Sequence, residues 1–407
     1  MIRSVTFENF FSFRDETLLD FRTSAKTSTD NSFIPSRMGD QVSLLTGVFG
    51  ANASGKTNLL KSIAFLNYFM HGSYESLKPS EKIPIDAFIL HAQEPVTFHL
   101  EYEGLGDVYR YHLTISASEV LVERLQKRHP KTAAFRTLIT RHAGEKSPKV
   151  DADPDFADVT AVRKLLRDRP NASVLSAGNV TGQKGFMRAL QAMEHIETNV
   201  NRSGKAPFSD GSNTDDLLNA AEYFRDNPQF LADVEARLQS ADLGISRLEI
   251  RDLEVMNTKG EAEERAVPFL THRSGDKEFN MPITMESSGT RRLFLLLKSF
   301  LPVLTDGGMV VIDEMESDLH PHLIPLLLDL FTDEDTNPKR AQLLFTCHHV
   351  EMLNHLAKEQ IVLVDKDTDN ISHAHRLSDI KGVRREENFF ANYNAGRYQA
   401  VPEPELF

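Results

Sequence analysis

Eight consecutive residues, Gly50-Ala51-Asn52-Ala53-Ser54-Gly55-Lys56-Thr57, have the form G-x-x-x-x-G-K-[ST]. Gly50 and Gly55 let the backbone turn tightly, so that its N–H groups can face phosphate oxygens. The segment opens a helix pattern, and a helix N-terminus favours anions. Lys56 is spaced to reach the outer phosphates, Thr57 offers a hydroxyl to a Mg²⁺ ion, and the adjoining Asn58 completes the binding set. A glycine turn that binds nothing is the plain alternative. The buried-strand pattern before the loop and the helix pattern after it favour the phosphate reading.

A second group lies downstream, where the apolar run Gly308 to Ile312 ends in Asp313-Glu314. Such a strand sets two acids at the carboxyl edge of a parallel sheet, the place where open α/β folds bind ligands. Asp313 can hold Mg²⁺ directly or through water. Glu314 can orient or deprotonate an attacking water, the role of a general base. In isolation the pair reads more readily as a helix cap, and the phosphate loop in the same chain gives it chemical meaning.

Between the two groups, Glu286-Ser287-Ser288-Gly289-Thr290 leads into a strongly apolar helix pattern from Arg291 to Leu304. Ser287, Ser288 and Gly289 therefore fall at a helix N-terminus, a preformed anion site, although a serine there also serves as a simple N-cap. The order of phosphate loop, Ser-x-Gly-led helix and strand ending in Asp-Glu resembles that of ABC-type ATPases. The resemblance implies that Ser287-Ser288-Gly289 is a signature segment, which in that family reaches across a dimer to the γ-phosphate of the partner's ATP. Glu286 and Thr290 depart from the transporter pattern, which often has Leu and Gln there.

The same resemblance covers the segments that follow. Ser317-Asp318-Leu319-His320 stands where the family has its D-loop, and Gln342 to Cys347 is a strand pattern ending at His348-His349. His348 resembles the switch histidine that contacts the γ-phosphate, with His349 its adjacent competitor. Gln93 is the candidate for a Q-loop. The spacing of His320, His322, His348 and His349 does not match a zinc pattern. The opening Asn9-Phe10-Phe11-Ser12-Phe13 is similar to the start of the RecF- and SMC-like branch. Glu286–Thr290, the E-x-x-S-x-L-H-P run from Glu314, and Tyr393-Asn394-Ala395-Gly396-Arg397-Tyr398 before Val401-Pro402 resemble the AAA15-type bacterial ATP-binding proteins.

The elements that must position these groups follow from periodicity. Ile2–Phe7 and Gln41–Phe49 read as strands, and Lys56–Met70 as a helix. Val96–Tyr102, Val108–Ile115, Val120–Leu125 and Arg136–Arg141 read as an antiparallel meander. Helical spacing dominates Val159–Leu166, Phe186–Ile196 and Thr214–Leu238, with a polar loop at Asn201–Asn213. Strands return at Ser246–Arg251 and Ala266–His272, and Met309–Val364 alternates strand and helix as in a parallel sheet. The predicted architecture is α/β: an ABC-type head with a mixed sheet, split into 1–150 and 246–407 by a mostly helical insertion at 151–245.

The chain has 407 residues and a net charge of −13. So acidic a chain is a poor general DNA binder, since phosphate contacts need clustered cations. The basic stretch Lys127, Arg128, Lys131, Arg136, Arg141, Lys146 and Lys149 is the local exception, readable as a solvated loop or a nucleic-acid contact. A single cysteine, Cys347, excludes an intrachain disulfide and fits a buried filler in a reducing compartment. The longest apolar run, Leu293–Leu304, is interrupted by Lys298, Ser299 and Pro302 and falls short of the ~20 residues that span a bilayer. The N-terminus lacks a signal-peptide layout. A cytoplasmic location without membrane contact is therefore expected.

Taken together, the motifs and the resemblance imply an ATP hydrolase using ATP and Mg²⁺. It would act as a homodimer or higher even-numbered homo-oligomer. Its expected role is a nucleotide-gated sensor or scaffold that controls an effector encoded nearby, a nuclease or toxin, in anti-phage defence. The alternative is a repair- or chromosome-type ATPase that clamps DNA directly.

Overall fold

The structure, a computed structural model, describes residues 1–24, 31–145, 147–193, 195–201, 204–205, 214–241, 244–256 and 261–398. Lys146, Val401-Pro402 and most of the loop 201–213 lie outside them. Two sheets carry the architecture. One is antiparallel, in the order Lys149–Ala152, Phe135–His142, Val120–Arg128, Asp107–Ile115, Val96–Gly104, Ile2–Glu8, Thr17–Asp20. The other runs Ile196–Thr198, Met309–Ile312, Gln342–Thr346, Leu45–Phe49, Ile361–Lys366, Ser372–Arg376, with only the last strand antiparallel. The fold is mixed α/β.

The parallel sheet is apolar on both faces, as helices packed on each side require. Because strand side chains alternate, Val48, Val311, Leu344, Val362 and Val364 point into one core with the helix Lys56–Ser76 and the antiparallel sheet. Leu45, Phe49, Val310, Ile312, Leu343 and Phe345 point into a second core with the helices Ser288–Asp306 and Leu323–Thr332. The layers are thus antiparallel sheet, phosphate-loop helix, parallel sheet, signature helix.

Several predicted elements take a different form. Gln41–Phe49 is two short strands, Gln41–Ser43 and Leu45–Phe49, in different sheets. Thr214–Leu238 divides into Thr214–Asp226 and Leu231–Ala241 at Asn227-Pro228, where proline cannot donate to a continuing helix. The helix predicted over Phe186–Ile196 ends at Leu190, and Ile196 begins an edge strand pairing in parallel with Met309–Ile312. The segment 151–245 therefore supplies a strand to the parallel sheet as well as helices, and its helix Val174–Val180 packs on Lys56–Ser76. Beyond Gln342–Thr346 the turn Val350–His355 is 3₁₀, too short for the helix that the alternation predicts.

One side chain stitches the two sheets together. Gln342 is 1% exposed. Its Oε1 accepts the Ile2 N–H at 2.7 Å, and its Nε2 donates to the Ile2 carbonyl at 2.9 Å and to the Ser43 carbonyl at 3.1 Å. A leucine there would leave these buried main-chain groups without their partner, at about 1–3 kcal/mol for each unsatisfied group. Gln342→Leu is expected to lower the unfolding free energy by at least about 3 kcal/mol in a denaturant titration, whereas a change below about 0.5 kcal/mol, the scale of neutral surface substitutions, would show that the stitch is dispensable.

Candidate functional site

The loop after Leu45–Phe49 and the acids after Met309–Ile312 must meet, yet the strand Gln342–Thr346 lies between theirs. Two hydroxyls close the gap. Thr57 Oγ1 donates to Asp313 Oδ2 at 2.7 Å, and Thr346 Oγ1 donates to Asp313 Oδ1 at 2.6 Å. Thr346 Oγ1 also accepts the Glu314 N–H at 2.7 Å. Asp313 is 4% exposed, so its charge is fixed at one point at the sheet edge.

The phosphate loop is shaped by close approach. Gly50 and Gly55 have φ of 152° and 118°. A Cβ at Gly50 would run into the Val364 carbonyl, and one at Gly55 into Ser372 Oγ. Ser372 Oγ lies 2.6 Å from the Ser54 carbonyl and 2.7 Å from Ser12 Oγ, which in turn accepts from Asn58 Nδ2 at 3.0 Å. The serine of the N-terminal Asn-Phe-x-Ser-Phe segment thus braces the loop. Lys56 Nζ donates to the Gly50 and Ala51 carbonyls, both at 2.9 Å. Burial holds its ammonium below the usual lysine range, partly offset by Asp313, Glu316 and Glu314.

These residues wall a cleft of about 750 Å³, lined by Asn52, Ala53, Gly55, Lys56, Thr57, Asn58, Asp313, Glu314, His348 and Lys366. Gly50 and Ser54 do not line it. Glu314 has φ +50°, a left-handed conformation costing roughly 1–3 kcal/mol in a non-glycine residue. Its Oε1 lies 4.0 Å from His348 Nε2, and its Oε2 accepts from Ser317 Oγ at 3.3 Å. The His348 N–H donates to Glu316 Oε1 at 2.6 Å, which fixes the backbone from which the ring reaches the cleft. His349 does not line it. A carboxylate, an imidazole and an ammonium therefore face one space, beside a hydroxyl–carboxylate oxygen pair of the hard kind that Mg²⁺ takes. Thr57 and Asp313 would hold that ion, and it would neutralise phosphate charge there.

Ser287, Ser288 and Gly289 do not line this cleft. Ser287 caps the signature helix Ser288–Asp306, its Oγ accepting the Thr290 N–H at 3.1 Å. Ser287 and Ser288 are exposed. Gly289 is pressed against the D-loop segment, where an added Cβ would lie 2.9 Å from the Asp318 carbonyl. Glu286, the departure from the transporter pattern, accepts a hydrogen bond from or ion-pairs with His272 Nε2 at 2.7 Å.

Other sequence candidates sit elsewhere. Gln93 is exposed in a turn and does not line the cleft. No group of three or more metal-ligating side chains occurs among the described residues, and His320 and His322 pack against each other as rings. Cys347 is buried, and burial followed by Glu316 pushes its thiol far up, so it stays protonated. Arg141, counted in the basic stretch, is fully buried beside Glu123 and donates to the Ala172 carbonyl. Sequence reasoning missed Thr346, Lys366 and Asn199. Thr346 alone had a signal, as the residue before Cys347-His348 at a strand end.

A layered mixed α/β fold with this loop at the sheet edge defines a protein of the P-loop class. Residues 45–354 match the family described as "AAA domain, putative AbiEii toxin, Type IV TA system", and the chain belongs to that family. The SMC head domain from Thermotoga maritima is similar, with TM-score 0.42 and 14% identity, over 92% of this chain and 98% of that one. None of the curated proteins matches the chain. Among the described residues no helix is long and apolar enough to cross a membrane.

The Lys56 ammonium sits on the loop backbone itself. Lys56→Ala is expected to weaken ATP binding by roughly 100-fold or more, equivalent to about 2.8 kcal/mol, in calorimetric titration. The melting temperature should stay level or rise, because a desolvated cation is removed. Unchanged ATP affinity would exclude the loop as the phosphate site.

Proposed function

We propose that the chain is an AAA15-type ATP hydrolase whose composite sites form between two copies. The observation that carries this reading is the separation of parts within one chain. The cleft holds Lys56, Thr57, Asp313, Glu314 and His348, while Ser287 and Ser288 stand exposed at a helix N-terminus outside it. A second copy placed face to face would bring that helix end, with its N–H groups and positive dipole end, to the open side of the cleft.

In the reaction Lys56 and the loop N–H groups hold the triphosphate. Glu314 accepts a proton from the attacking water as the oxygen of that water bonds to the γ-phosphorus. The bond from that phosphorus to the bridging oxygen breaks, and ADP and phosphate leave. His348, whose ring lines the same cleft, would donate a hydrogen bond to a γ-phosphate oxygen. The closed pair would be favoured only while the γ-phosphate joins the two halves, which makes nucleotide state a switch between open and closed forms.

The switch acts on an effector, a nuclease or toxin from a neighbouring gene, in anti-phage defence. The words "toxin" and "TA system" in the description of the family support a two-component arrangement of this kind. A second reading, direct clamping of DNA, draws on one feature. Lys127, Arg128, Arg136, Lys184 and Arg188 line a cavity of about 750 Å³. Asp107 pairs with Lys127 and Arg188, and Asp153 with Arg136, which removes much of the free positive charge. Salt-dependent DNA binding lost on reversing Lys127 and Arg128 would favour the clamp; co-purification with the neighbouring gene product would favour effector control.

Two variants test the composite site. Glu314→Gln is expected to keep ATP binding, slow phosphate release by at least about 100-fold, as loss of a general base does, and accumulate dimer in ATP by light scattering. Ser287→Arg is expected to bind ATP as a monomer yet release no phosphate. Normal turnover by Ser287→Arg would defeat the proposal.

A further inference from the structure

The carboxylate strand ends at Ile312, and the edge strand beside it ends at Thr198. Their ladder stops one residue short of the acids, so the main-chain groups of Asp313 and Glu314 need other partners. Side chains supply most of them. The Asp313 N–H donates to Asn199 Oδ1 at 2.7 Å, and Asn199 Nδ2 donates to the Asp313 carbonyl at 2.9 Å. A single amide thereby takes the place of the missing strand residue. The Glu314 N–H goes to Thr346 Oγ1, and the Glu314 carbonyl accepts from the Ser317 N–H at 3.1 Å and from Arg292 Nη2 at 3.4 Å.

Asn199 and Arg292 are 4% and 2% exposed. They come from opposite directions: Asn199 from the end of the edge strand and Arg292 from the first turns of the signature helix. Glu314 sits between them in its left-handed conformation, which a non-glycine residue keeps only where its surroundings impose it. Asn199 does not itself line the cleft.

We infer that Asn199 is a positioning residue for ATP hydrolysis, bracketing the Asp313 peptide so that the turn at Glu314 keeps its carboxylate aimed into the cleft. The inference rests on the hydrolase reading above. The position demands one donor and one acceptor on a single short planar group, which asparagine supplies. An ionised aspartate keeps the acceptor but turns an oxygen toward the Asp313 carbonyl. A protonated aspartic acid restores both, with O–H in place of N–H.

The test uses the full chain and compares wild type, Asn199→Ala, Asn199→Asp and Glu314→Gln in phosphate release and in ATP binding. Asn199→Ala is expected to lower kcat roughly 10- to 100-fold, the scale of a displacement of about 1 Å at a reacting group. Its KM and Kd for ATP should stay within about threefold, because the lost interaction acts on the reaction and not on binding. Asn199→Asp is expected to be slow at pH 8 and to regain rate relative to wild type as the pH falls toward 6 and its carboxyl takes up a proton. Should Asn199→Ala fail to fold, the pH profile of Asn199→Asp decides. Wild-type kcat in Asn199→Ala, a parallel loss of kcat and ATP affinity, or an Asn199→Asp profile parallel to that of wild type would each overturn the inference. A wild-type protein that releases no phosphate would instead sink the hydrolase reading itself.

Discussion

Asp313 is gripped by two hydroxyls, one from a helix start and one from a strand end, and the rest of the site depends on that grip. Thr57 arrives on the phosphate loop and Thr346 on the strand between, and each takes one oxygen of the same buried carboxylate. The parallel pairing of these strands brings all three carboxyl ends to one edge. The layered cores hold the sheet, the sheet holds the edge, and the edge sets the distance between the loop at Lys56 and the Glu314 carboxylate.

The same edge ties the signature helix to the acids of its own chain. Gly289 abuts the Asp318 carbonyl, and Arg292 reaches the Glu314 carbonyl. If the helix end touches a partner's triphosphate, a shift there bears directly on the turn at Glu314. Rigid packing of this kind transmits displacement because close-packed interiors do not absorb it.

Much of this was legible in the residues. The phosphate loop, the acid pair and the helix led by Ser287 declare themselves through spacing, since each needs fixed residue types at fixed intervals. The buried strands were visible as apolar runs. What escaped had a tertiary cause. Asn199 works through a bond to residue 313, which no local pattern encodes, and it lies in a stretch whose helical spacing hid the edge strand Ile196–Thr198. The break inside Gln41–Phe49 arises because its two halves pair with different sheets, a choice made by partners far along the chain. Gln93 matched only in residue type, and the fold leaves it on the surface.

The central claim is that one working site is assembled from two chains. Mixing Lys56→Ala protein with Ser287→Arg protein puts it to the most direct test. In a mixed pair, the intact loop of the second variant faces the intact signature helix of the first. Each preparation alone should be inert, and the mixture should release phosphate at a rate that rises with the fraction of mixed pairs. A mixture as inert as its components, with mixed pairs shown to form, would contradict the account.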